Sequence, residues 1–173
     1  AQAMNKNYID SRSDSLTAVA LEYYKEHGSD REKALAYYYH GVIKYNAALH
    51  TETIDFFIQA KIYAERTDDH YTKGLIYHVI GGYYFTQYDR RSALEYHKRA
   101  LEEYLQTDNK SNILLATKNV GMMYRSIGMY EEAIPYLLEA KQMALDLNQN
   151  QFYLNLSMTL ENIGSYKFNH TSV

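Results

Sequence analysis

One spacing constrains this chain more than any other feature. Gly41, Gly81 and Gly121 recur at a constant interval, and Ala20, Ala60, Ala100 and Ala140 recur at the same one. Leu16, Phe56, Tyr96 and Tyr136 form a column of large side chains in the same register. Ser13, Thr53, Ala93 and Ala133 form a column of small ones. Four columns in one register describe a supersecondary unit repeated along the chain. Such a unit cannot bury its apolar face alone and must stack on its neighbours.

Each unit reads as two helices. The stretch from Leu75-Ile76-Tyr77 to Tyr83-Tyr84-Phe85 has strand-like propensity. Its equivalent around Gly121 holds Leu114, Leu115, Ala116, Lys118, Met122 and Met123, which favour helix. Equivalent positions of a repeat share one structure, so both stretches are helical. Ile127-Gly128-Met129 marks a short turn within a unit. Asp68-Asp69, Asp108-Asn109 and Asn148 to Asn150 mark the turn between units and supply N-cap side chains. The spacing predicts helices over 12–27, 31–47, 51–66, 69–87, 90–106, 110–127, 130–147 and 151–168. The small columns let paired backbones approach, and the large residues fill the flanks. Pro135 falls within the first two turns of its helix, where it bends the helix without breaking it. Composition agrees: one Pro and eight Gly in 173 residues are too few for an all-β chain with many turns.

The third unit carries Gly121, Tyr124, Gly128, Tyr130, Ala133, Leu137 and Ala140. The second carries Tyr77, Gly81, Tyr84, Ala93 and Ala100, and the first Tyr37, Gly41, Phe57 and Ala60, with Lys44 where an aromatic is usual. This pattern resembles the tetratricopeptide repeat (TPR), and the resemblance covers nearly the whole chain. It implies an all-α fold, a right-handed superhelix (an α-solenoid) of about eight antiparallel helices. The implied single domain divides into a partial repeat 1–30, repeats 31–68, 69–108 and 109–148, and a partial repeat 149–173. The usual period is 34. The period of 40 places the extra residues between the Ala and the next Gly, so the helices are longer there. The chain is thereby similar to long-helix variants in bacterial regulatory and sensor proteins and in peptide-binding scaffolds. Lys33-Ala34-Leu35-Ala36-Tyr37-Tyr38-Tyr39 and Leu75-Ile76-Tyr77 also resemble bacterial envelope-associated TPR proteins, often lipid-anchored. That resemblance implies the cell envelope, with the cytoplasm as the alternative.

In this register 12–27 is the second helix of a unit whose first helix is missing or reduced to residues 1–8. Helix 151–168, with Gly164, is the first helix of a unit whose second is absent, and its frame is read as slipped by three from Glu161. Phe152, Leu156, Leu160 and Ile163 are expected to face the absent neighbour. On this reading the sequence is a fragment of a longer protein, with ends open to self-association.

Several function classes are disfavoured. The net charge of −3 speaks against nucleic acid, whose binding begins with phosphate neutralisation. Cys is absent, which removes disulfides, thiolate zinc sites and cysteine nucleophiles. No apolar run approaches the roughly 18–20 residues of a membrane span. No G-x-S-x-G, HExxH, P-loop or dinucleotide fingerprint is present, so neither an enzyme nor a cofactor is expected. The seven His include no pair at i,i+4, which disfavours a metal site. Arg90, Arg91, Lys98 and Arg99 alternate with Glu95, Glu102 and Glu103 as on a solvated helix.

Tyr supplies 20 of the 25 aromatics, mostly as core residues with hydroxyl tips at the surface. Tyr38 and Tyr45 are expected on the face of a first helix that lines a groove. Asn119-Val120-Gly121 and Asn162-Ile163-Gly164 place Asn two residues before Gly in successive units, whereas Tyr39 and Val79 interrupt the pattern earlier. In peptide-binding TPR domains an Asn so placed hydrogen-bonds the ligand backbone, to which its amide offers both donor and acceptor. The alternative is that these Asn bond the adjacent helix. The basic clamp that holds a terminal carboxylate in some TPRs corresponds here to Tyr38 and Val42, His78 and Gly82, and Lys118 and Met122, of which Lys118 alone fits. The resemblance thus implies a non-enzymatic scaffold for a protein or peptide. Its groove residues would be Tyr38, Tyr45, His78, Phe85, Lys118, Asn119, Met122, Arg125, Glu161 and Asn162. Aromatics would take side chains, Asn the backbone, and Lys118 and Arg125 an acidic group. The second reading is a structural module that self-assembles through its repeat ends.

Overall fold

Helix starts follow from side chains that satisfy the first orphan N–H groups. Ser29 forms a capping box with Glu32, and its side chain accepts from the Glu32 N–H. Asp69 Oδ1 accepts from the Thr72 N–H at 3.0 Å, and Asn109 Oδ1 from the Asn112 N–H at 3.1 Å. These three caps stand at equivalent positions of successive repeats. Thr67 and Thr107 repeat a second pattern. Each hydroxyl donates to the carbonyl three residues back, of Ala64 and Tyr104, and accepts from the N–H of the cap residue two positions on.

The computed structural model describes the backbone of residues 15–47 and 50–171, with side chains over 15–47 and 53–165. Among these residues there are eight helices and no strand: α1 (Ser15–His27), α2 (Asp30–Asn46), α3 (His50–Ala64), α4 (His70–Thr86), α5 (Arg90–Tyr104), α6 (Lys110–Ser126), α7 (Tyr130–Asp146) and α8 (Asn150–Thr171). The all-helical repeat architecture read from the glycine and alanine register is present. The strand-like stretch 75–85 lies within α4, and Pro135 lies inside an unbroken α7. Positions 12–14, including Ser13 of the small column, lie outside the described residues. At the turn after α6, Gly128 takes φ +82°, where a side chain is disfavoured. Tyr88, its counterpart in the preceding repeat, takes φ 62° with a full side chain. No helix among the described residues is long and apolar enough to cross a membrane.

The chain forms two compact units, Ala1–Tyr83 and Tyr84–Val173. In the first, α2 lies against α3 at Gly41, where a Cβ would come within 2.7 Å of the Phe57 ring. Ala34, Phe57, Ala60, Ala64, Ile76 and Ile80 are buried within it. Buried His40 places Nδ1 3.0 Å from the Thr17 hydroxyl and so ties α1 to α2. Arg31 Nε donates to Asp69 Oδ2 between the starts of α2 and α4. In the second unit, a Cβ on Gly121 would meet Leu137 at 2.9 Å. Tyr84 stacks on Tyr96 at 5.5 Å and Tyr124 on Tyr136 at 5.6 Å, the same helix staple one repeat apart. Leu114, Ala133, Leu137, Ala140, Ala144, Leu156 and Ile163 form one buried cluster.

That cluster corrects the expectation for α8. Leu156 and Ile163 are buried, and Phe152 and Leu160 pack against the same core. Among the described side chains of α8, the exposed large apolar residues are instead Leu154 and Met158. The cause is the register. Leu156 and Ile163 fall one full period after buried Ala116 and Met123, so α8 keeps the period and does not slip by three. Glu161 occupies the repeat-glycine position, and Asn162 corresponds to Met122 rather than to Asn119.

A candidate ligand-binding face on α6

The ten residues singled out from the sequence divide between the units. Tyr38, Tyr45 and His78 lie in the first, and the other seven in the second. Tyr38, expected to line an open face, is buried at 8% exposure, with its ring edge-on to Tyr39. It serves as core. Tyr45 and His78 are half-buried, and Phe85 is exposed at the end of α4.

On α6 the spacing brings three of these residues onto one stripe. Lys118, Met122 and Arg125 follow at i, i+4 and i+7, all half-buried. Met122 packs against the buried cluster and fixes the stripe to the core. Asn119 is half-buried beside it. The Lys118 ammonium lies 4.7 Å from the centroid of the Phe152 ring, contributed by the first turn of α8. Such a contact contributes about 0.5–1 kcal/mol at a partly exposed site. Among the described residues neither Lys118 nor Arg125 forms an ion pair. Burial holds Lys118 below the ordinary lysine value, with no carboxylate to offset it. The face therefore carries two half-buried cations, about 10 Å apart along the helix axis.

Glu161 and Asn162 are both exposed on α8. With Asn162 out of register, the expected ladder of Asn side chains is not assembled. Phe152, expected to face an absent neighbour, was not foreseen as a partner of Lys118 because that contact joins α6 to α8, two helices separated along the chain by the whole of α7. Its signal was weak, an aromatic in a first turn where the earlier units have Glu32, Thr72 and Asn112. No group of three or more potential metal ligands occurs among the described residues.

A solved structure shares the fold. BtubC (BKLC) from P. vanneervenii superposes with a TM-score of 0.69 and 18% identity, over 78% of this chain. The chain spans 56% of that protein's length. At this identity the likeness is one of helical fold alone. No family model matches the sequence, and no curated protein matches it.

Proposed function

We propose that the chain is a tetratricopeptide-type scaffold, not an enzyme, that binds an acidic peptide segment across α6. The observation that carries this reading is the Lys118 ammonium, half-buried over Phe152 without a carboxylate partner among the described residues. A cation taken from water without a counter-charge costs stability in the isolated chain. A ligand carboxylate supplies the missing charge through a charge-assisted hydrogen bond. Arg125 takes a second acidic group two turns away, Met122 an apolar side chain, and Asn119 a backbone amide. A separation of about 10 Å matches acidic residues about three apart in an extended peptide. The resemblance to bacterial sensor and regulatory repeats supports placing such a scaffold in a longer signalling protein.

Selection from a randomised peptide library tests the reading. The protein should enrich sequences with paired Asp or Glu, and Lys118→Met, which keeps the packing volume, should lose that enrichment. Equal selection by both proteins, or enrichment of neutral peptides, would refute it.

A further inference from the structure

Between α1 and α2 lies a cavity of about 400 Å³. Ala20 and Tyr24 line it from α1, and Leu35 and Tyr39 from α2, with charged Arg31 and Glu32 also on the α2 wall. One repeat on, the positions matching Ala20 and Tyr24 are Ala60 and Ala64, both buried. There α2 is seated against α3, with Phe57 under Gly41. The cavity thus falls at the position of that seat, one repeat before the one that α2 fills.

Among the described residues, one helix of the type of α2 has the matching side exposed. In α6, Leu114 is 1% exposed because it clusters with Ala140 and Ala144 of α7. Leu154, at the same point of α8, is 54% exposed, and Met158 one turn on is 60% exposed. A Cβ on Gly164 would meet nothing within 4 Å. Tyr124, at the equivalent point of α6, is covered by Tyr136. Leu16 of α1 stands at the position of Tyr136 and is 63% exposed.

We propose that α8 of one copy of this chain seats in the α1–α2 cavity of a second copy, head to tail. Leu154 then packs on Ala20 and Tyr24, as Leu114 packs on Ala140 and Ala144 within one chain. Leu16 covers Gly164 as Tyr136 covers Tyr124, and Met158 meets the α2 wall. The two surfaces differ, so the contact is heterologous, and a joined pair still presents one head and one tail to further copies. Burial of these apolar side chains drives the association. The inference does not depend on the peptide reading, because Lys118 and Arg125 take no part in it.

The test is light scattering on the 173-residue protein across micromolar to millimolar concentration, which should show association growing with concentration. Leu16→Lys blocks the head and Leu154→Lys blocks the tail. Each variant alone should associate at least about tenfold more weakly, since a charge set against an apolar partner costs more than the 1.4 kcal/mol per decade. Mixed, they should form a 1:1 dimer that grows no further, joining the one intact tail to the one intact head. A wild-type chain monomeric throughout the range would overturn the proposal. So would either variant associating alone as strongly as the wild type, which would mark an α1–α1 or α8–α8 contact. Both positions are exposed, so circular dichroism should show unchanged helicity, and lost helicity in either variant would show core where the proposal needs open surface.

Discussion

Gly82→Ala and Gly121→Ala make the same chemical change inside two helices and should shift stability in opposite directions. Both exchanges relieve the backbone entropy cost of a helical glycine, about 0.8–1 kcal/mol. At Gly82 in α4 an added Cβ meets nothing within 4 Å. The full gain should appear, raising the melting temperature by about 2–4 °C in a chain of this length. At Gly121 in α6 the Cβ would lie 2.9 Å from both Cγ and Cδ2 of Leu137, and 3.1 Å from Cβ of Tyr136. Leu137 is fully buried, and its branch point cannot swing away as a flexible tip would. Overpacking of this kind costs about 1–3 kcal/mol. Less the propensity gain, the net loss is up to about 2 kcal/mol. Thermal melts followed by circular dichroism, with each variant beside the parent, measure both shifts. Equal shifts, or a Gly121 variant as stable as the Gly82 variant, would refute the claim that the glycine column exists to seat the partner helix.

Three further outcomes follow from the same geometry. Leu156→Ala should cost about 2–5 kcal/mol, the range for emptying a buried leucine site, and a change within about 0.5 kcal/mol, the range of exposed positions, would show that α8 is not core. Asp69→Ala should cost about 1 kcal/mol through the lost N-cap of α4. Burial works to raise the Asp69 pKa, but hydrogen bonds from Thr72 and Arg31 outweigh it and hold it low. The stabilisation is therefore present above the unfolded carboxylate value and lost as pH falls through the folded one, so urea melts of parent and variant should converge on acidification. Lys118, held low by burial, binds its proton less tightly folded than unfolded. Its penalty is full below its folded pKa and relieved as pH rises toward the unfolded value near 10.5. The stability of the parent relative to Lys118→Met should rise over that interval, and a flat difference would mean that Lys118 is solvated.

The helical architecture was legible because packing leaves a compositional trace. Gly41 and Gly121 sit under Phe57 and Leu137, and the Ala column lies where helix backbones meet. Helix boundaries followed from turn residues such as Asp69 and Asn109, whose capping bonds are local. The failures have physical causes. Gly164 resembled a column member but contacts no neighbour at its Cβ position, so it carried no register information. Taking it as an anchor slipped the frame by three and brought Asn162 into a false alignment with Asn119. Tyr38 and Tyr39 are adjacent and chemically alike, and composition could not tell which one turns inward. The Lys118 position was visible on α6, whereas its contact with Phe152 was not, because that contact exists only once α8 has packed.

The most direct measurement is an NMR titration of Lys118 with a peptide bearing two glutamates about three residues apart. The side-chain ammonium and the Met122 methyl would be observed together. The account predicts saturable shifts at Lys118, Met122, Arg125 and Phe152, and a Lys118 pKa that rises toward its ordinary value as the ligand carboxylate arrives. A glutamine-substituted peptide should produce neither. A Lys118 signal unmoved by the acidic peptide, or moved equally by the neutral one, would contradict the assignment of α6 as the ligand-binding face.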